Sequence, residues 1–134
     1  ILSNPWLLNF FERYIESSPV KAAGGGGLKR EITDHIMSEF NDGTPSIKNI
    51  AEKMSMSVRS LQNHLFEEGT TFSELLKEIR VALSRKYLNE DYSTDDIAYM
   101  LGFSEPSVFR KSFKKWTGIT PGEYRKGAVR ARNN

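Results

Sequence analysis

Apolar residues recur at steps of three and four along most of this 134-residue chain, which is the spacing of helices that bury one face. No stretch alternates apolar and polar residues as a convincing strand would. Helices are predicted over residues 28–40, 47–54, 58–67, 71–89, 94–101 and 106–116, with a short last helix after Thr120. The predicted fold class is therefore all-α, with about seven helices and an extra helix at the N-terminus.

The extra helix lies in residues 1–20, where Asn4 and Pro5 favour a helix start. Its wide apolar face consists of Leu7, Leu8, Phe10, Phe11, Tyr14 and Ile15. This face needs burial against the body of the chain, within a missing sensor or linker region, or against a second copy in a homodimer, and the three alternatives stay open. Residues 21–27 contain four consecutive glycines and are predicted to be a flexible linker, which makes residues 28–134 the globular domain. The chain does not start with Met, so a fragment or processed product is expected.

A short pattern occurs twice within that domain. Residues 50–57 (IAEKMSMS) reappear 47 positions later as residues 97–104 (IAYMLGFS), and each copy precedes a second predicted helix. Two helices joined by such a short turn form a helix-turn-helix motif, whose second helix can lie in a DNA major groove. Two motifs in one chain indicate that a monomer can bind two successive grooves.

The second helices of the two motifs align with a slip of one residue. Leu61 and Leu65 match Phe109 and Phe113 at a spacing of 48 positions, and Val108 and Trp116 are also predicted to point inward. The opposite faces then carry two stripes at steps of three and four, formed by Arg59, Gln62, Asn63 and Phe66 and by Ser107, Arg110, Lys111 and Lys114.

These stripes are rich in side chains that bind base edges. Arginine and lysine pair with guanine, and asparagine and glutamine pair with adenine. Base contacts are therefore predicted for Arg59, Gln62, Asn63, Ser107, Arg110 and Lys111. A solvated surface face would show a similar stripe, so the prediction depends on its coincidence with the two motifs.

Charge and length support the same interpretation. The net charge is only +2, but residues 28–104 carry −4 and residues 105–134 carry +6. Phosphate contacts are predicted for Lys48, Lys114, Lys115 and Arg125. The helix between the motifs, about 18 residues at 1.5 Å each, would be roughly 27 Å long, near the ~34 Å between successive grooves.

Residues 101–109 (LGFSEPSVF) and 113–125 (FKKWTGITPGEYR) resemble the second half of AraC/XylS-type transcription regulator domains, and residues 56–62 with 68–72 resemble the first half. The resemblance covers roughly residues 28–126. It implies a two-motif domain that binds double-stranded DNA, is usually fused to a sensor or dimerisation domain, and recruits RNA polymerase, commonly as an activator. Relatives often carry arginine where this chain has Asn63, which indicates a shift in preference toward adenine.

Nothing in the sequence favours catalysis. There is no cysteine, and the histidines are His35 and His64, both expected on the surface. The Asp95-Asp96 pair is expected to complement a helix dipole. No cofactor, metal or membrane partner is predicted, and the cysteine-free composition favours a cytoplasmic protein. The rival hypothesis is a helical protein-interaction module that contacts RNA polymerase or another protein without binding DNA.

Overall fold

The computed structural model describes the backbone of residues 26–133 and the side chains of residues 27–128. This part of the chain forms α1 (Gly26–Glu39), α2 (Ile47–Lys53), α3 (Val58–Glu67), α4 (Phe72–Leu88), α5 (Thr94–Met100), α6 (Pro106–Thr117) and α7 (Pro121–Asn133), with a 3₁₀ turn at Phe40–Asp42. The described residues contain no strand. The all-α prediction with about seven helices is therefore confirmed, while the predicted helix in residues 1–20 lies outside the described residues.

The described chain divides into two compact units. The first contains residues 26–38 and 45–76 and includes α2 and α3, and the second contains residues 39–44 and 77–133 and includes α5 and α6. Each unit has its own fully buried apolar residues. In the first unit these are Ile32, Ile36, Ile50, Leu61, Leu65 and Leu75, and in the second they include Ile79, Leu83, Leu88, Ile97, Phe109 and Phe113.

Side-chain caps fix where several helices begin. The hydroxyl oxygens of Ser46, Ser57 and Ser93 accept hydrogen bonds of 3.3, 3.0 and 3.0 Å from backbone N–H groups three residues later. At α7, Thr120 Oγ1 accepts from the Glu123 N–H at 3.0 Å, and the Glu123 carboxylate accepts from the Thr120 N–H at 2.9 Å. This reciprocal capping box, predicted from the sequence, holds the pKa of Glu123 below its usual value.

Three details differ from the prediction. Helix α1 begins at Gly26, so the last two glycines of the predicted linker belong to its first turn. Helix α7 has 13 residues and is not short. The inward placement of Val108 was wrong, because that side chain is 47% exposed while Phe109 and Phe113 are buried. Phe109 and Phe113 lie four residues apart and set the buried face of α6, and Val108 is rotated about 100° from that face.

The repeat seen in the sequence is also a repeat of backbone geometry. The Met56 N–H donates to the Ala51 carbonyl at 3.0 Å, and the Phe103 N–H donates to the Ala98 carbonyl at the same distance. Both alanines are buried, at 2% and 0% exposure. The residue that reverses the chain has a positive φ in both motifs, 56° at Ser55 and 84° at Gly102.

Glycine is required in the second turn for a further reason. A Cβ at position 102 would lie 2.4 Å from the carbonyl oxygen of Gly43 and 3.1 Å from Cδ1 of Phe40. Backbone atoms cannot move away as a flexible side chain could. The second turn therefore accepts only glycine, whereas the first accepts serine at the cost of a left-handed conformation.

We predict opposite effects for two substitutions at these matching positions. Gly102→Ala should lower the free energy of unfolding by more than about 2 kcal/mol, because strain and overlap with Gly43 add together. Ser55→Gly should leave it unchanged or raise it by up to about 1 kcal/mol, because relief of strain slightly exceeds the added chain entropy. Urea unfolding of both variants measures the difference. A Gly102→Ala protein as stable as the parent would show that the turn tolerates a side chain.

Candidate nucleic-acid interface

Helix α3 divides into a buried face and an exposed face. Leu61 and Leu65 are completely buried in the first unit. All four residues of the predicted stripe are exposed, and we call them the first stripe: Arg59, Gln62, Asn63 and Phe66. The apolar side thus anchors the helix, and the polar side is available to a ligand.

Helix α6 shows the same division in the second unit. Phe109 and Phe113 are buried, and their rings lie 5.9 Å apart between centroids. The predicted stripe on the opposite side is again exposed, and we call it the second stripe: Ser107, Arg110, Lys111 and Lys114. The one-residue slip between the motifs is reflected in the helix starts, since Ser57 caps α3 and Glu105, 48 positions later, occupies the cap position of α6.

One residue of the second stripe already has a protein partner. A guanidinium nitrogen of Arg110 pairs with the Asp95 carboxylate from the first turn of α5, and both side chains are about half exposed. From the sequence, Asp95 was expected only to complement the helix dipole, and its pair with Arg110 was not predicted. The pair holds Arg110 near α5 while leaving part of its guanidinium accessible.

The four predicted phosphate contacts fall into two groups. Lys48 on α2 and Lys114 and Lys115 in the last turn of α6 are exposed. Arg125 is different, because its guanidinium donates to the carbonyl oxygens of Leu88 at 3.1 Å, Glu90 at 3.5 Å and Tyr92. These carbonyls lie at and just beyond the C-terminal end of α4, so Arg125 closes that helix end, a structural role that the sequence did not predict.

The second turn rests on a buried arginine. Arg80 of α4 is only 7% exposed, and its Nε donates to the Leu101 carbonyl at 2.9 Å. Its Nη2 donates to Thr44 Oγ1 at 3.4 Å, and that hydroxyl donates to the Gly102 carbonyl at 3.1 Å. The arginine thus holds the turn toward α6 directly at Leu101 and, through Thr44, at Gly102.

Two aromatic rings complete this site. The Arg80 guanidinium carbon lies 4.0 Å from the centroid of the Phe103 ring and 5.7 Å from that of Phe40. Burial lowers the pKa of Arg80 to about 10, which still leaves the group charged near neutral pH. The positive charge faces the Leu101 carbonyl oxygen, the Thr44 hydroxyl and two ring faces. These contacts join residues that are distant in the sequence, so no local pattern predicted them.

An open cleft adjoins the first stripe. Its volume is about 400 Å³. It is lined by Gln62, Asn63 and Phe66 of the stripe together with Ile47, Thr70, Thr71, Phe72 and Ser73. Three of the four stripe residues therefore border a concave surface.

Within the described residues, no three His, Cys, Asp or Glu side chains are grouped so that they could hold a metal ion. His35 is half-buried and His64 is exposed on α3. None of the helices in the described residues is both long enough and apolar enough to span a membrane.

We predict that Arg80→Ala lowers the free energy of unfolding by about 3 kcal/mol, because the Leu101 carbonyl and the Thr44 hydroxyl lose a donor and two rings lose their packing. Arg85→Ala, at an exposed position of the same helix, is the control and should change it by less than about 0.5 kcal/mol. Urea unfolding followed by circular dichroism gives both values. Equal stabilities of the two variants would remove Arg80 from the support of the turn.

Comparison with known proteins adds to this geometry. Residues 50–127 match a family model described as a helix-turn-helix domain. The ornithine utilization regulator of Pseudomonas aeruginosa is 32% identical over 125 residues, covering 92% of this chain and 37% of that protein. The transcriptional activator RhrA of Rhizobium meliloti is 32% identical over 125 residues, covering 84% of this chain and 40% of its own length. The chain thus spans about two-fifths or less of the curated relatives described here.

Solved structures of transcriptional regulators share the fold of this chain. A transcriptional regulator of Chromobacterium violaceum with an AraC-type DNA-binding domain superposes with a TM-score of 0.68 at 25% identity, covering 79% of this chain and 96% of the other. The DNA-binding domain of the global transcriptional factor AdpA, solved with a target DNA, gives a TM-score of 0.65 at 26% identity and covers 78% and 94% of the two chains.

Proposed function

Because the chain belongs to the AraC-type family of helix-turn-helix transcriptional regulators, we propose that it is the part of a regulator that binds a specific DNA sequence. The observation that carries the proposal is the division of α3 and α6, each buried through apolar residues and exposed through a stripe of hydrogen-bonding side chains. A helix anchored in this way can enter a major groove without losing its own packing. The AdpA domain, which was solved on its target DNA, shares this fold.

We propose base contacts from the side chains of the two stripes. Arg59 has the chemistry to bind guanine, and Gln62 and Asn63 to bind adenine. In the second motif, Lys111 and Arg110 favour guanine. Ser107 can form a hydrogen bond with either of these bases. The stripes differ in composition, so the two halves of the site should differ in sequence.

Phosphate contacts are proposed for Lys48, Lys114 and Lys115, which are exposed on α2 and at the end of α6. Such contacts orient the protein on the duplex and release counterions. For Arg125, a phosphate would have to share the guanidinium with three carbonyl groups. We therefore assign the main electrostatic contribution to the three lysines.

The partners of the whole protein are part of the proposal. Two relatives are named as transcriptional activators, RhrA and the urease operon activator of Escherichia coli. We propose activation for this protein too, with RNA polymerase as the partner that it recruits. Dimerisation through residues 1–20 or a sensor domain, a cytoplasmic location and the lack of catalytic activity are proposed with it. A ligand sensed by the regulator would bind its sensor domain, in a part of the protein outside these residues.

Two lysines on the same helix separate base contacts from phosphate contacts. Lys111→Ala should weaken binding by about 1–3 kcal/mol, with the loss confined to duplexes that carry the preferred bases at a few positions. Lys115→Ala should weaken binding to all duplexes alike and reduce the slope of log K against log salt by about one unit. Titrations of a selected duplex and of base-substituted duplexes at several salt concentrations measure both effects. A uniform loss for Lys111→Ala would make it a phosphate contact.

The two motifs are proposed to occupy consecutive major grooves on one face of the duplex. Inserting five base pairs between the two half-contacts turns one groove to the opposite face, so binding should fall to the level of nonspecific DNA. Inserting ten base pairs restores the face but not the distance and should not rescue binding. Retained affinity in the five-pair duplex would mean that one motif alone binds DNA, and absence of any salt-dependent binding would favour the protein-interaction alternative.

A further inference from the structure

Phe66 stands out among the exposed residues of the first stripe. Its side chain is 79% exposed, more than that of any other large apolar residue for which the structure describes a side chain. A single exposed apolar residue on a protein surface needs no explanation by itself. This one, however, lies in α3 on the face that carries Arg59, Gln62 and Asn63.

Phe66 lies beside the buried face of α3 and not on it. Its neighbour Leu65 is completely buried, and successive residues of a helix point about 100° apart. Phe66 also forms one wall of the open cleft of about 400 Å³, beside Gln62 and Asn63. The ring is therefore presented outward together with the polar residues of the stripe.

A phenyl ring cannot make the hydrogen bonds that distinguish most base edges. The apolar group that a base displays in the major groove is the C5-methyl group of thymine, and phenylalanine is a residue that contacts it. We propose that Phe66 contacts a thymine methyl group and thereby specifies thymine at one position of the bound DNA. This inference rests on the proposed function, in which α3 lies in a major groove.

The position of that thymine follows from the helix. Phe66 is seven residues beyond Arg59, or about 10.5 Å along α3, which corresponds to about three base-pair steps. Asn63 precedes Phe66 by three residues on the same stripe, and an asparagine pairs with adenine. The half-site contacted by α3 should therefore contain A·T pairs at the end that Asn63 and Phe66 contact. The thymine methyl group should lie within about three base pairs of the base bound by Arg59.

Replacing thymidine by deoxyuridine removes only the C5-methyl group of the base and tests this contact directly. The probe is the duplex that the full chain selects most strongly from a random pool, with each thymine replaced in turn. The parent protein should bind about fourfold more weakly when one particular thymine is replaced, as expected for losing the burial of one methyl-sized group. Phe66→Ala should bind the unmodified duplex more weakly and show a ratio near one between thymine and deoxyuridine at that position.

Two further variants serve as controls. Phe66→Leu keeps an apolar contact and should retain part of the preference for thymine. Tyr99→Ala removes an aromatic side chain that is 55% exposed on α5, outside both stripes, and should keep the full preference. Thermal unfolding should show all three variants to be folded, since none of the replaced side chains is buried.

The outcomes separate this inference from the proposed function. If the parent protein binds every deoxyuridine duplex as tightly as the unmodified one, or if Phe66→Ala keeps the preference, the thymine contact is wrong while DNA binding stands. The same conclusion holds if Phe66→Ala loses the same affinity whichever base occupies that position. A wedge between base steps or a contact to the sugar would give that result. If the chain selects no duplex at all, both proposals fail together.

Discussion

The sharp turn between the two helices of each motif is the constraint on which the rest of the structure depends. A buried alanine, Ala51 or Ala98, accepts a hydrogen bond from the residue five positions later, and a left-handed residue lies between them. Once the chain reverses at this point, the second helix has one face available for burial. Leucines occupy that face in α3 and phenylalanines in α6, so the polar residues at intervening positions lie on the surface.

The two motifs support this turn by different means. The first tolerates Ser55 at a positive φ, where nothing requires glycine. The second places the Gly102 backbone against Gly43 and secures the turn through Arg80. Arginine suits this role because its planar guanidinium lies over the Phe103 ring while it donates to the Leu101 carbonyl and the Thr44 hydroxyl. The second turn therefore depends on contacts from outside its own motif.

Local patterns made most of the helical fold predictable. Helix spacing, serine caps, the Thr120 capping box and the slip between the motifs all depend on residues only a few positions apart. The contacts that the sequence did not indicate join distant positions, such as Arg80 with the carbonyl 21 residues away and Arg125 with the carbonyl 37 residues away. A charged residue in a helix has the same local pattern whether it is buried or exposed. Val108 shows the complementary error, since an apolar residue beside a buried one was assigned to the wrong face.

The exposed stripes were predictable as surfaces, because the buried apolar residues of each helix fix which positions face outward. The central claim is that both stripes lie in major grooves, and methylation of guanine N7, an atom exposed in that groove, tests it most directly. On a selected duplex, the chain should protect guanines in two clusters of different sequence, about ten base pairs apart. Binding of the duplex without N7 protection, or protection of a single cluster, would contradict the account.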